Sequence, residues 1–316
     1  MPVAHQNTAT RTPLFSRHQP GGTYAYAPIR RFPGEVFFVD STDTTRGADD
    51  AGHGRSPEAP FLTLNYAFSQ CTANQGDVIY LKPGHIETIT TAAGLALDVA
   101  GVHVIGVGNG TIQPIIRVGG TAQATGTVTV TAANVTVEHV CWEAFYLDVA
   151  TAIVVTATDF TIRNCRFREQ ATNLNARIWI QMPLDATASR LTVEDCLVYA
   201  FDTDNTHFIN FSDTGDGHIV RRNVLMGDWG TMAIGGAGLI THAQINDNYI
   251  YSLPNIANGC LLFANTATGV MMNNMVGNGA AAASQIQATG MAKCYNYGHD
   301  LIAGGDVQGI PEPPMA

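Results

Sequence analysis

Hydrophobic and polar positions along this chain follow one short pattern that recurs. Two apolar residues stand two apart. After a gap of two comes a small residue or Asn, and two residues further on another apolar one. The first copies are Val102, Val104, Val107, Asn109; Val135, Val137, Val140, Trp142; Phe160, Ile162, Cys165, Phe167; and Leu191, Val193, Cys196, Val198. The pattern continues with His218, Val220, Asn223, Leu225; Ala243, Ile245, Asn248, Ile250; and Gly269, Met271, Asn274, Val276. A degraded copy follows, with Asn296 in the third place. Alternation of period two predicts a strand in each copy, and the two-residue gap predicts a bend. The third-place residues 107, 140, 165, 196, 223, 248, 274 and 296 lie 22 to 33 apart. No ankyrin, tetratricopeptide or leucine-rich signature fits that loose period.

Further short strands are predicted between the copies, at Thr127–Thr131, Ile153–Thr156, Arg177–Gln181, His207–Phe211, Gly259–Phe263 and Gln285–Gln287. Loops rich in Asn, Asp, Thr and Gly separate them. Several short strands per turn, stacked in register, describe a parallel β-helix of about eight coils, whose inward faces become one core only by stacking. A right-handed path follows from the crossover rule. Asn223, Asn248, Asn274 and Asn296 would stack as an amide ladder at one bend. Cys165 and Cys196 would be neighbours in the same column, close enough for a disulfide, with buried thiols as the plainer expectation. A β-sandwich is the competing fold, but it predicts no column of like residues at a recurring interval.

Ahead of the repeats, Glu35–Asp40 alternates as a strand and a Gly- and Asp-rich loop spans residues 41–57. Leu64, Ala67, Phe68 and Cys71 then mark one face of a short amphipathic helix. Asp77–Gly84 reads as strand and turn. A helix laid over the open end would cover an otherwise unpaired sheet edge. The run Phe38-Val39-Asp40-Ser41, the Gly-rich loop, Ser56-Pro57, Pro60-Phe61-Leu62-Thr63-Leu64, Ala67 and Gly76–Gly84 resembles the N-terminal element of pectate-lyase-like right-handed β-helix proteins. With the repeats, the resemblance covers about residues 35–300. It implies an all-β, right-handed parallel β-helix with a short capping helix. It says little about activity, because that family includes lyases, hydrolases, epimerases and phage virion proteins. The domain reading is an extended basic arm at 1–34, a strand and helix cap at 35–90, the β-helix at 91–300 and a Pro-rich tail at 301–316.

Composition narrows the function classes. Charged residues are 13% of 316, about half the usual ~25%, so the chain is neither a disordered segment nor a coiled coil. It contains no apolar run of membrane-spanning length. Residues 1–20 have no apolar core, so a signal peptide is not expected; cytosolic synthesis and reduced cysteines follow. The net charge of −10 argues against a nucleic-acid binder. It is uneven: Arg11, Arg17, Arg30 and Arg31 face no acid in residues 1–34, so a basic arm precedes an acidic body. Such an arm is either an attachment device on a partner or a solvated tail.

Motifs for chemistry are sparse. Polygalacturonase-like members of the resembled family carry paired aspartates and Gly-His-Gly on successive coils. Here Asp49-Asp50 and Gly52-His53-Gly54 share one loop ahead of the coils and read as a Gly-rich loop. Pectate lyases of the fold hold Ca²⁺ with acids from adjacent coils and use an Arg or Lys base. In this chain Glu138 and Glu194 alternate with Arg163 and Arg221, which reads as an outward ion-pair ladder. Asp202, Asp204, Asp213 and Asp216 are the alternative carboxylates, with solvated loop acids as their plain reading. Asp40, Asp43, Asp49 and Asp50 form a weak Ca²⁺ candidate. No zinc spacing and no phosphate loop is present, so no metal or cofactor is expected. Only Trp142, Trp179 and Trp229 are large enough platforms for sugars, and Trp142 falls on an inward position.

The resulting expectation is a structural, non-enzymatic phage virion protein, most like a capsid decoration or cement protein, located in the virion and forming a homotrimer. Its partner would be the major capsid protein or another virion protein. Attachment would run through Arg11, Phe15, Arg17, Tyr24, Tyr26, Arg30, Arg31 and Phe32, aromatic anchors and bidentate cations. With only Lys82 and Lys293 as lysines, the surface is mostly small and polar. The other classes are a tail-spike depolymerase, which needs converging carboxylates, and an adhesin for a host glycan, which needs exposed aromatics in a row.

Overall fold

The computed structural model describes residues 34–119, 125–171, 173–184, 188–252, 260–278, 286–300 and 310–311. Three parallel sheets are laid down in rotation. The first takes ten strands, from Val36–Val39, Val78–Leu81 and His103–Gly106 to Gly269–Met272 and Met291–Cys294. After a bend the chain enters the second sheet, from Ile86–Ile89 and Ile115–Val118 to Met275–Asn278 and Tyr297–Asp300. It then crosses to the third, from Leu95–Leu97 to Ile286–Gln287, which has eight strands. Eight successive turns supply a strand to each sheet, so the body is the expected parallel β-helix. One pairing runs the other way: Ile310–Pro311 lies antiparallel to Tyr297 and Gly298.

The core is built from columns. Val104, Val137, Ile162, Val193, Val220, Ile245 and Met271 are register partners from turn to turn, and none is more than 2% exposed. Phe37 and Ile79 extend the column at its start. On the second sheet Trp142, Phe167, Val198 and Leu225 stack in the same way. Phe167 meets Trp142, Trp179 and Phe208 with ring centroids 6.4, 5.6 and 5.1 Å apart. Widely spaced residues thus touch only because successive turns keep the same register.

The bend between the first and second sheets has a fixed recipe. One residue per turn adopts a left-handed backbone: His139, Asn164, Asp195, Arg222, Asp247, Asn273 and Tyr295, with φ between 52° and 62°. Non-glycine residues seldom accept this conformation. Here it aims each N–H along the axis, so that Asn164 N–H donates to the Glu194 carbonyl (3.0 Å) and Asp247 N–H to Met272 (2.9 Å). The next residue points inward, and in four consecutive turns it is Asn. Asn248 Oδ1 accepts from the backbone N–H (3.1 Å) and Nδ2 (3.0 Å) of Asn223. Its own Nδ2 donates to Val220 O (2.9 Å) and to Asn274 Oδ1 (3.0 Å). Asn274 and Asn296 repeat the arrangement. Cys165 and Cys196 precede the amides in this column as buried free thiols.

The start of the body carries the expected helix, Leu64–Gln70, which buries Leu64, Ala67 and Phe68. Thr63 caps it by accepting from Tyr66 N–H (3.2 Å), and the buried Glu87 carboxylate accepts from Leu64 N–H (2.8 Å). The helix lies against Leu95–Leu97, the first strand of the third sheet. Asn65 Oδ1 takes the otherwise free N–H of Ala96 (3.1 Å). Sequence periodicity located this element correctly because its apolar face matches a helical repeat.

Replacing Asn248 by Ala removes both acceptor and donor from the ladder and leaves the buried Asn223 N–H without a partner. A loss on the order of 3 kcal/mol or more is expected in denaturant unfolding. Gln244→Ala, on the outward face of the preceding strand Ala243–Asn246, should change stability by less than about 0.5 kcal/mol.

Candidate functional site

The eight expected attachment residues, Arg11, Phe15, Arg17, Tyr24, Tyr26, Arg30, Arg31 and Phe32, lie outside the described residues. Inside them, the sign-alternating column is present. Arg163 pairs with Glu138 at 2.8 Å and Arg221 with Glu194 at 2.7 Å, and the four residues are register neighbours. A ladder of partly exposed pairs orients side chains but adds little stability per pair.

The aspartates of the 40–50 loop do not converge. Asp40 faces Lys82 (3.1 Å), Asp43 faces Arg46 (2.7 Å) and Asp50 faces His53 (2.6 Å). Asp49 accepts from Leu62 N–H (2.8 Å) and the Thr63 hydroxyl (2.8 Å). Gly54 has φ +82°, and a Cβ there would strike the Phe61 ring, so packing explains this glycine. Among the described residues no group of three His, Cys, Asp or Glu side chains is arranged to hold a metal ion.

The most concentrated acidity lies where the second sheet hands the chain to the third. Glu169 ends one strand there, and Asp202 and Asp228 follow the ends of the next two. Asp202 is only 9% exposed and Asp228 4%, which corrects the expectation of solvated acids for Asp202. Asp213 and Asp216 are on the surface as expected, and Asp216 holds His242 (2.6 Å). Glu169 accepts from the N–H groups of Phe201 (3.0 Å) and Asp202 (3.2 Å) and from Asn205 Nδ2 (2.5 Å). Asp202 accepts from Asn173 N–H (3.0 Å) and Asp204 N–H (2.9 Å). Burial, reinforced by the Asp202 charge, holds the Glu169 carboxyl above its ordinary range, and the same two causes raise Asp228. The cluster favours a retained proton, but Glu169 and Asp202 aim their oxygens at loop N–H groups rather than at an open groove. Glu169 and Asp228 were missed in the sequence because no fixed spacing joins them.

The second sheet also carries a feature that single-residue reading missed. Its outward positions Leu197, Val224, Tyr249, Met275 and Tyr297 are register partners on five consecutive turns. Tyr249, Met275 and Tyr297 are 41, 53 and 42% exposed. Tyr199, Met226 and Tyr251 form a second outward column beside them. The three tryptophans, by contrast, are all buried. At about 4.8 Å per turn the apolar strip runs roughly 20 Å along the axis.

No family model and no curated protein matches this chain. Among solved structures, it is similar to a rhamnogalacturonan lyase at 13% identity and TM-score 0.42, covering 77% of this chain and 74% of that one. It is similar to the GH136 lacto-N-biosidase from Eubacterium ramulus at 11% identity and TM-score 0.46, covering 84% and 57%. The pectate lyase Pel9A matches at 13% identity and TM-score 0.43, covering 87% and 78%. Likenesses this distant carry no statement about reaction or substrate.

Two histidines near the third sheet set a pH dependence. Burial lowers His207 and His218 to about 4 from the ordinary 6.5. The unfolded chain therefore takes up protons first on acidification, and their stability contribution, complete above 6.5, is lost as pH falls towards 4. At pH 5 the loss amounts to about 2 kcal/mol per histidine. Glu169 and Asp228 act with opposite sign, because protonation relieves their buried charge. Denaturant unfolding at pH 7 and pH 5 should show lower stability at pH 5, and His207→Asn should reduce the difference between the two values.

Proposed function

We propose that this chain is a structural protein of a bacteriophage virion, a decoration or cement protein whose β-helix stands beside copies of itself as a homotrimer. Residues 1–34 attach it to a capsid or other virion protein. The observation that carries this reading is the division of the outer surface. Outward charges pair with one another from turn to turn, while Leu197, Val224, Tyr249, Met275 and Tyr297 leave an apolar strip uncovered. A strip of Leu, Val, Met and Tyr suits a protein neighbour. A glycan would need hydrogen-bonding groups for its hydroxyls, and these two columns offer few apart from the phenols. The basic, aromatic composition of the arm supports attachment.

A second reading, a polysaccharide depolymerase, rests on Glu169, Asp202 and Asp228, three carboxylates at one edge of the second sheet with two of them raised. It requires the loop over Glu169 to open.

Light scattering of the full chain should give a trimer mass at micromolar concentration, and Tyr249→Lys combined with Met275→Glu should give a folded monomer. A wild-type monomer would overturn the self-association. Deleting residues 2–34 should leave a folded body with an unchanged β-sheet spectrum that no longer joins particles. Incubation with acidic or host capsular polysaccharide should release no new chain ends. Turnover abolished by Glu169→Gln or Asp228→Asn would establish the enzyme instead.

A further inference from the structure

The second turn of the body departs from the others at the bend. From the third turn on, one left-handed residue and one inward residue join the first and second sheets, and in the first turn residues 82–85 do so. Here residues 107–114 intervene between His103–Gly106 and Ile115–Val118, including a short 3-10 turn at Gly110–Ile112. The longer loop is pinned at both sides, by Gly84 N–H to Ile112 O (2.8 Å) and His139 Nε2 to Gly108 O (2.8 Å). Beneath it lies a cavity of about 170 Å³, lined by Thr111 and Gln113 from the loop and by Ile115, Cys141, Arg166 and Arg168 from three adjacent strands.

The charge balance there is unlike the rest of the molecule. Glu143, 1% exposed, is shared by Arg117 (2.6 Å) and Arg168 (2.8 Å). Arg166 has no carboxylate partner among the described residues, and its Nε is buried without a hydrogen bond. Three arginines on adjacent strands thus share the neighbourhood of one carboxylate, which pairs with only two of them, on a chain whose net charge is −10. Cys141 does not correct the imbalance, since burial pushes its thiol up to about 11 despite the opposing pull of Arg168, Arg166 and Arg117. Gln113 is 5% exposed and lines the cavity. Buried polar groups in native proteins normally find partners, and a guanidinium edge is matched by the paired oxygens of an oxyanion.

We propose that this cavity is a binding site for a single oxyanion, a carboxylate or a sulfate- or phosphate-like group. Arg166 donates to it from the strand side and Gln113 and Thr111 from the loop. The site lies on the same outward column as the apolar strip, which begins one turn further on at Leu197, but its charged and amide groups stand independently of the function proposed above.

The test uses the full chain with sodium sulfate, inorganic phosphate and sodium acetate, each titrated calorimetrically at constant ionic strength set with chloride. Saturable one-to-one binding of at least one anion is expected. Preference for acetate would identify a planar carboxylate, and preference for sulfate or phosphate a tetrahedral group. Arg166→Ala should weaken that binding at least tenfold without lowering the melting temperature of the anion-free protein, because the residue has no partner to lose. Gln113→Leu, which leaves every charge in place, should weaken it several-fold and keeps the test decisive if the Arg166 variant folds poorly. Arg190→Ala, which breaks an exposed pair with Asp159 elsewhere, should bind as the wild type does. Absence of saturable binding for all three anions, or equal affinity in Arg166→Ala and Gln113→Leu, would overturn the site.

Discussion

The body of this protein depends on one interaction, the side-chain amide that bridges successive turns at the bend. A bend deprives backbone groups of the partners a strand would give them, and burial makes that loss expensive. An inward Asn resolves it because one amide both donates and accepts along the axis. Its oxygen takes the N–H of the turn before, while its nitrogen donates to a carbonyl of that turn and to the amide beyond. Each turn from Cys196 to Asn274 is thus tied in register to the next, which supports the inward columns there. Where Cys replaces Asn at residues 165 and 196, apolar packing and backbone pairing maintain the same spacing.

The surface follows from that register. A charged residue on one turn finds its neighbour at the same position on the next, so opposite signs at intervals of one turn produce pairs such as Arg163 with Glu138. The same rule, applied to apolar residues, produces the strip from Leu197 to Tyr297. A single outward column holds both features of the second sheet. It starts at Ile86, passes Ile115, Cys141 and Arg166 beside the cavity and continues as the apolar strip.

How much of this could be read in the sequence depends on whether a property is periodic. The inward column and the Asn ladder were legible because each copy repeats the same offsets. The strip was legible in principle, since its members directly follow Cys196, Asn223, Asn248, Asn274 and Asn296, but a position treated as free in the pattern draws no attention. Glu169, Asp202 and Asp228 were not legible as a group. They belong to the connection between the second and third sheets, whose length changes from turn to turn, so their convergence is set by loop closure rather than by spacing. The orphaned Nε of Arg166 is of the same kind: it is a vacancy in a contact set, and no residue pattern encodes it.

The reversal at the end of the second sheet has a bearing on how molecules of this shape can meet. A stack of parallel strands is an invitation to add another identical strand, and thus another molecule, along the axis. At the front, the helix and the Asn65 amide occupy the first edge of the third sheet. At the back, Ile310–Pro311 runs against the direction of every other strand, and the proline offers no N–H to a newcomer. Among the described residues, fibre-like growth is thereby discouraged along two of the three sheets.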